Sequence, residues 1–402
     1  MNVAERREQP LPVPVVQGVR AAREGLGLSE LLNSRAIRTA LVLFVLWAGL
    51  AVHPETRAAF LTASNLSNIT AQIAEIVIIG VGMTFVILIA GIDLSVGAGM
   101  ALFGVIAAEL QIDYGQPALV AIGAALAVSL VIGLWHGFLV TKLRVPPFVA
   151  TLSGFLAYRG LALVLSDARG LSPMGRDFAV LGERISKAAS LIVCAVGLLL
   201  GLALLFGAER RRRAFGLPHK RRIEIGAQAL AITGAAVAAS AIYQGGMPVP
   251  VLIAALVLSF GAVLLRRSRL GRYAFAIGGN SEAARLSGVP VTRVTVLVYL
   301  MTAVLTAVAG LVAAARTNGV TPGNMGLIRE LHVITAVVIG GTSLSGGRAT
   351  MLGTLLGALI FGTLSNGMNL LGVSSNWQLI FTGLILVGAT ALDSVSIRGR
   401  NS

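Results

Sequence analysis

The chain has 402 residues, of which 56% are hydrophobic and only 12% are Asp, Glu, Lys or Arg. A soluble domain carries about 25% charged residues, so this composition excludes a water-soluble enzyme, a disordered chain and a disulfide-rich secreted domain. The net charge of +15 comes from basic residues in short blocks between apolar runs, a pattern typical of loops that face anionic lipid. We therefore expect a polytopic membrane protein that contacts membrane lipid and does not bind nucleic acid.

Twelve apolar runs lie between residues 37 and 392. Because a membrane helix needs about 20 mostly apolar residues, the sequence predicts an all-α protein with about 10–12 transmembrane helices. The runs at 94–108 and 331–344 are short, and we expect them to be half-helices buried inside the protein. The predicted organisation is an N-terminal tail (1–36), a transmembrane domain (37–392) and a C-terminal tail (393–402).

The distribution of basic residues predicts the orientation of the chain. With twelve crossings, 24 of the 32 Lys and Arg residues lie on the side of the two termini, seven lie on the other side, and Arg159 lies within a run. Cytoplasmic loops carry the excess of Lys and Arg, so both termini are expected in the cytoplasm. The long loop at 266–293 is then cytoplasmic as well.

Two acids lie within or beside the early runs, where an ionisable residue is a functional candidate. Glu75 must face protein, water or a partner, and a pair with Arg159 is one option. Asp93 lies in a glycine-flanked break, G-I-D-L-S-V-G at 91–97. Asp93 either caps a helix in a tight turn with help from Ser95, or belongs to a transport pathway, and the sequence leaves both open.

A second glycine-rich break, at 339–348, contains Thr342 and Ser343. It is either a tight interhelical turn or a segment that offers polar groups to a pathway. Pairs of glycines four residues apart predict close helix packing in three places. These pairs are Gly133/Gly137, Gly197/Gly201 and Gly353/Gly357.

The long cytoplasmic loop contains the signals of a short capped helix. The glycines at 278–279 permit a sharp turn, and Asn280 or Ser281 suits the N-cap position. Glu282 suits the first turn and Gly288 suits the position after the helix. This two-turn helix either docks a cytoplasmic partner or lies on the lipid headgroups.

Signatures of catalysis are missing from the sequence. None of the three lysines follows a glycine, which excludes a phosphate-binding G-x-x-x-x-G-K-[ST] loop. There is no H-E-x-x-H or G-x-S-x-G motif, and the single cysteine has no partner. We therefore expect no catalytic residue, cofactor or metal site, and no nucleotide hydrolysis by this chain alone.

Three segments resemble the permease subunits of bacterial sugar ABC importers of the ribose/xylose/arabinose branch. The resemblance runs from about residue 66 to 393, and an extra hairpin at 188–243, with a basic loop at 210–213, is similar to D-xylose permeases. The three segments read G-I-D-L-S-V-G at 91–97, Y-A-F-A-I-G-G-N-S-E-A-A-R-L-S-G at 273–288 and V-V-I-G-G-T-S-L-S-G-G-R at 337–348.

The resemblance implies a type II, vitamin B12 permease-like architecture in the bacterial inner membrane. It implies a homodimer that works by alternating access with a cytoplasmic sugar-type ATPase and a periplasmic sugar-binding protein, and a cargo such as D-xylose or a related pentose. Matched position by position, the segment that couples the permease to the ATPase comprises Gly278, Gly279, Asn280, Glu282, Ala283, Arg285 and Leu286.

Two functional hypotheses remain at this stage. In the first, the chain is the permease of an ATP-driven importer, and the translocation pathway includes Glu75, Asp93, Ser95, Thr342 and Ser343. In the second, it is a proton- or sodium-coupled sugar transporter that uses Glu75 and Asp93 as ion sites. The second hypothesis gives no reason for a capped cytoplasmic helix.

Overall fold

The computed structural model describes residues 35–216, 222–374, 376–384 and 387–388. The predicted C-terminal tail and nearly all of the N-terminal tail lie outside the described residues. The described chain folds into the following helices. They are α1 (Arg35–Val52), α2 (Arg57–Phe60), α3 (Ala63–Leu88), α4 (Val96–Ile112), α5 (Ala118–Thr141), α6 (Pro147–Leu165), α7 (Arg176–Ala179), α8 (Lys187–Ala214), α9 (Arg222–Ile242), α10 (Val249–Arg267), α11 (Arg269–Gly279), α12 (Ser281–Leu286), α13 (Val291–Thr317), α14 (Arg329–Ile339) and α15 (Met351–Leu370).

Seven of these helices are long and apolar enough to cross a membrane: α3, α5, α6, α8, α10, α13 and α15. Three shorter apolar helices accompany them, at Ile37–Val52, Val96–Ile112 and Gln228–Ile242. Within the described ranges, extended backbone pairs only at two isolated bridges. Helices satisfy every backbone polar group within one segment, which lipid requires. The prediction of an all-α polytopic membrane protein is confirmed.

Helices α3 and α13 form the centre of the bundle. The apolar stretch of α3 is buried along nearly its whole length, and α13 packs against α3, α4 and α5. Glycines permit this close approach. A Cβ at Gly133 would lie 2.6 Å from Leu300 Cα, and one at Gly310 would lie 2.7 Å from the Met100 carbonyl oxygen.

The predicted glycine packing is confirmed for two pairs and wrong for half of the third. Gly137 packs on Val296 of α13, and Gly353 and Gly357 pack on backbone at the end of α14. Gly201 contacts Ile232 of α9, whereas Gly197 has open space beside it. Spacing alone does not tell which way a glycine faces.

Of the two short apolar runs, the one at 331–344 forms a helix of half-helix length, as predicted, whereas the one at 94–108 forms a helix of about 26 Å, which is longer than a half-helix. Helix α4 has 17 residues and begins after the break at 89–95, and α14 has 11 residues and ends at the break at 340–350. An 11-residue helix extends about 16 Å, about half of the hydrocarbon thickness. The chain therefore turns at these two breaks inside the helical bundle.

The basic stretch at 210–213 is not a loop. Helix α8 continues through these four arginines and ends at Ala214. Cations are favourable in the last turn of a helix, and Arg213 forms an i,i+4 ion pair with Glu209. These two effects extend the helix beyond the apolar run.

Candidate functional site

The loop between α10 and α13 folds into two helices, α11 and α12, which we call the docking segment after the role that the sequence predicts for it. Ser268 caps α11 by accepting a hydrogen bond from the Gly271 amide at 3.0 Å. The helix then continues through Gly278 and Gly279, and the chain turns at Asn280, whose φ is −160°. The sharp turn predicted at the two glycines is therefore wrong by one residue, because an N-cap residue supplies the extended conformation itself.

Helix α12 is capped at both ends as the sequence predicts. The Asn280 Oδ1 accepts a hydrogen bond from the Ala283 amide at 2.9 Å, and Gly288 follows the helix with a φ of +81°. Glu282 in the first turn accepts a hydrogen bond from Arg285 Nε at 3.1 Å. Hydrogen bonding and charge from Arg285 lower the pKa of Glu282, and those from Glu282 raise the pKa of Arg285.

Most side chains of α12 in the docking segment are exposed on the surface of the protein. Ala284 is the one buried residue of this helix, while Glu282, Ala283 and Arg285 are exposed. Leu286 is 77% exposed. An exposed apolar side chain beside a pair of opposite charges is suited to contact a second protein.

Gly278 joins the docking segment to the centre of the bundle. A Cβ at this position would overlap the Leu88 carbonyl oxygen at the end of α3 and the Gly347 amide nitrogen in the second glycine-rich break. Those two atoms are themselves hydrogen-bonded at 3.0 Å. At Gly279, in contrast, an added Cβ would meet nothing within 4 Å. Three backbone segments thus meet at Gly278 without side chains between them.

Thr342 and Ser343 lie in that second break. The Ser343 amide donates to the Arg348 carbonyl, and its hydroxyl is 2.9 Å from the Ser345 hydroxyl. Thr342 is buried, and its hydroxyl has no partner among the described residues. Most of these polar groups therefore hold the turn together beside the docking segment.

Asp93 and Ser95 form a tight turn at the start of α4. The Asp93 Oδ1 accepts hydrogen bonds from the Ser95 amide at 2.9 Å and from the Ser95 hydroxyl at 2.6 Å. Both residues are buried and line a small cavity of about 10 Å³ beside His136, which is hydrogen-bonded to Tyr158 at 3.0 Å. Asp93 thus closes a tight turn with Ser95, as one interpretation predicts, but it does not cap the helix, because the N-cap residue of α4 is Ser95 and no side chain caps there. A role of Asp93 in a pathway stays a prediction.

Glu75 is 1% exposed and lies between two arginines. Its Oε1 accepts hydrogen bonds from Arg316 Nε and Nη2 at 3.1 and 3.0 Å, and its Oε2 is 3.2 Å from Arg329 Nη2. Arg159 is not its partner, because the Arg159 guanidinium donates to the carbonyl oxygen of Met325 at 2.8 Å. The ion cluster joins α3, the end of α13 and the start of α14.

The predicted pathway residues do not meet in one cavity. Glu75 borders a cavity of about 350 Å³ with Arg316, Arg329 and the loops at 170–172 and 319–326. Asp93 and Ser95 line the small cavity described above, and Thr342 and Ser343 line neither. The structure therefore separates these residues into three places.

Sequence reasoning missed Arg316 and Arg329, which it assigned to a loop on the far side of the membrane. Both residues flank apolar runs and can reach back along helix ends, whereas Arg159 is fixed in mid-helix. The sequence signal is partial: a buried acid requires a counter-charge and both arginines lie at ends of apolar runs, but so do other basic residues such as Lys187 and Arg266. Which basic residue pairs with Glu75 depends on which helices pack beside α3, and the sequence alone does not show that packing.

The chain matches known proteins along most of its length. The family described as "Branched-chain amino acid transport system / permease component" matches residues 65–390. The chain is 36% identical over 404 residues to the xylose transport system permease protein XylH of Escherichia coli (strain K12), covering 99% of this chain and 100% of the relative.

Two further relatives cover somewhat less. The XylH protein of Haemophilus influenzae is 37% identical over 348 residues, covering 84% of this chain and 91% of the relative. The ribose import permease protein RbsC of Escherichia coli (strain K12) is 37% identical over 335 residues, covering 83% and 87%. No solved structure gives a significant match. The chain therefore belongs to the family of permease components of transport systems that matches residues 65–390, and it resembles xylose and ribose permeases over most of its length.

Proposed function

We propose that the chain is the membrane-spanning permease subunit of an ATP-binding cassette importer that moves a monosaccharide, D-xylose or a related pentose, into the bacterial cytoplasm. The relatives named for xylose and ribose transport support the class of cargo. The chain lies in the inner membrane with both termini in the cytoplasm, and a separate ATPase subunit supplies the energy.

The observation that carries this proposal is the docking segment. It exposes Glu282, Ala283, Arg285 and Leu286, and it contacts the bundle through backbone at Gly278. The exposed surface of α12, which a partner can bind, is thus connected through close backbone contacts to the end of α3 and to the second glycine-rich break. Such a connection converts movement of an attached ATPase into movement of the transmembrane helices.

In this mechanism two copies of the chain form the transmembrane unit with alternating access. The ATPase subunits bind α12 of each copy. The Asn280 N-cap stabilises this helix while the moving ATPase exerts force on it. A periplasmic binding protein delivers the sugar at the opposite end. Glu282 and Arg285 hold each other on the exposed face and give the partner a defined charge pattern to recognise.

A proton- or sodium-coupled mechanism has less support in this geometry. An ion site needs an acid that is free to bind the ion, but Glu75 is already paired with two arginines and Asp93 accepts two hydrogen bonds from Ser95. Collapse of the proton gradient at constant ATP is therefore expected to leave initial sugar uptake unchanged. Immediate loss of uptake would favour the secondary transporter.

The test of the docking assignment is a charge exchange, Glu282→Lys with Arg285→Glu. The exchange keeps an ion pair within α12 but reverses the charges that a partner meets. We expect the variant to fold, to lose co-purification of the ATPase in gentle detergent, and to lose ATP-dependent uptake in membrane vesicles. The matched control reverses the exposed pair Asp113–Arg169. Normal association and uptake in the docking variant would refute the assignment.

A further inference from the structure

Two polar cavities meet at one side chain on the opposite end of α13 from the docking segment. The first, of about 350 Å³, is bordered by Glu75, Arg316, Asn324 and Arg329. The second, of about 180 Å³, is bordered by Asn68, Gln72, Arg184 and Arg316. Arg316 borders both cavities. We call the following polar and charged lining residues the polar track: Asn68, Gln72, Glu75, Arg184, Arg316, Asn324 and Arg329.

The polar track follows one face of the central helix. Asn68, Gln72 and Glu75 are spaced by four and three residues on α3, which places them on the same side of the helix. Asn68 and Gln72 are exposed and lie in the N-terminal part of α3, beside the start of its buried apolar stretch. Polar side chains near a membrane-spanning segment face water, protein or a solute in preference to lipid. We therefore infer that this face of α3 is not turned to the bilayer.

The rim of the larger cavity is held in place by hydrogen bonds. Leu171 and Val320 exchange two backbone hydrogen bonds of 2.8 Å, which join the loop after α6 to the loop after α13. Arg159 donates to the Met325 carbonyl from the other side. Hydrogen bonds thus fix the two loops that border the cavity. Its volume lies in the range of about 300–1,000 Å³ typical of small-molecule sites.

The chemistry of the polar track matches hydroxyl groups. The amides of Gln72 and Asn324 each donate and accept, Arg316 and Arg329 donate, and Glu75 accepts. The side chains of Arg316 and Arg329 are 33% and 24% exposed, and both border the larger cavity. Arg329 Nε is buried without a hydrogen-bond partner among the described residues. A sugar hydroxyl both donates and accepts, so a ring with several hydroxyls can satisfy such a mixed lining.

The arginines of the lining already have acceptors within the protein. Arg316 and Arg329 are directed at the two oxygens of Glu75, and Arg184 donates to the Ser67 hydroxyl and the Gly246 carbonyl. Three arginines and one carboxylate leave the lining positive, so an anion is the competing ligand that a test must distinguish from a neutral sugar. A neutral sugar can bond to the remaining polar groups while all these contacts stay intact.

We propose that the polar track is a binding site for the neutral monosaccharide on its way through the permease. This inference rests on the proposed function and adds to it a place where the permease itself contacts the sugar. The site lies at the end of the bundle that receives cargo from the binding protein, about 40 Å from the docking segment by the length of α13. The permease then contributes to selectivity instead of providing an inert passage.

The first test uses the complete transporter in proteoliposomes and measures D-xylose uptake per ATP hydrolysed. Gln72→Leu and Asn324→Leu are each expected to lower this ratio about fivefold, the effect of one lost hydrogen bond, while ATPase stimulation by the binding protein stays unchanged. Gln116→Leu is the matched control, since its exposed amide lies in the loop after α4 and borders neither cavity.

The outcomes separate the two proposals. If the wild-type complex shows no ATP-driven uptake, the proposed function fails. If the wild type imports sugar and both leucine variants keep the wild-type ratio, the polar track is not a sugar site. A parallel loss of uptake and ATPase activity would also overturn the inference, because it would show a purely structural role.

The second test asks whether the ligand is a neutral sugar. In a Cys194→Ser background the chain has no other cysteine, so Asn324→Cys can be labelled with a membrane-impermeant maleimide. We expect D-xylose to slow the labelling and D-glucuronate, which is the xylopyranose ring with a carboxylate on C5, to have little effect. D-glucose, which carries a neutral hydroxymethyl group at that carbon, controls for the added size. Equal protection by xylose and glucuronate, or stronger protection by glucuronate, would contradict a site for neutral sugar.

Discussion

The two ends of the central helix α3 are built in different ways. At Leu88 the helix ends in backbone contacts with Gly278 and Gly347, and no side chain separates the three segments. At Asn68, Gln72 and Glu75 the same helix borders polar cavities held by long, charged side chains. The Leu88 end is suited to transmit a displacement of the docking segment to α3, because backbone in direct contact leaves no space to absorb it. The Glu75 end, which borders cavities, is suited to accommodate a solute.

The largest expected effect comes from removing the counter-charges at the cavity end. Arg316→Met with Arg329→Met leaves Glu75 buried without a cation, and we expect a loss of about 3 kcal/mol in the free energy of unfolding. Thermal unfolding of the purified chain measures it. Arg285→Met is the control, because it removes an arginine from an ion pair that is exposed on both sides, 64% at Arg285 and 63% at Glu282, and is expected to change stability little. Similar losses in both variants would mean that Glu75 does not need its arginines.

A smaller effect is expected at the docking end, where a methyl group tests the backbone contact. Gly278→Ala places a Cβ against the Leu88 carbonyl and the Gly347 amide, at a cost of about 1–3 kcal/mol for overpacking. Because α12 stays exposed, the ATPase is expected to bind while uptake per ATP falls. Gly279→Ala, with open space beside it, serves as the control. Equal behaviour of the two alanine variants in both assays would refute a rigid connection at Gly278.

The next effect is local to α12. Asn280→Ala removes the side chain that accepts the hydrogen bond from the Ala283 amide, and an N-cap of this kind is worth about 1 kcal/mol. We expect faster amide hydrogen exchange across α12 and no change in α13. Asn280→Ser should restore the protection, because serine caps about as well as asparagine. An unchanged amide exchange rate in the alanine variant would show that the stability of α12, without a bound partner, does not depend on the Asn280 cap.

The smallest expected effect is a pH dependence of the same helix. Hydrogen bonding from Arg285 lowers the pKa of the Glu282 carboxyl below its ordinary value of 4.5. The pair therefore stabilises α12 fully above that ordinary value, and the stabilisation is lost as the pH falls through the lowered pKa. Exchange protection of α12, corrected for intrinsic rates, should decrease slightly on acidification. Glu282→Gln should abolish this dependence, and an equal dependence in that variant would assign it to another group.

The sequence was most informative where the determinants are local. Apolar runs gave the all-α membrane fold, and the N-cap, first-turn acid and final glycine of α12 could be read within nine residues. Contacts between distant segments could not be read this way. The partners of Glu75 lie more than 240 residues away, and sequence order favoured neither Arg316 nor Arg329 over Arg159. The length of α8 was underestimated because charged residues extend a helix beyond its apolar part.

The meeting of three backbone segments at Gly278 has a consequence for engineering. Residues 88, 278 and 347 are far apart in the chain, yet they share one contact in which there is no spare volume. A docking segment transplanted from another permease, to recruit a different ATPase, would therefore seat poorly on its new host unless the ends of α3 and the second glycine-rich break came with it. We therefore expect that the three-segment junction, and not the cytoplasmic loop alone, has to be exchanged.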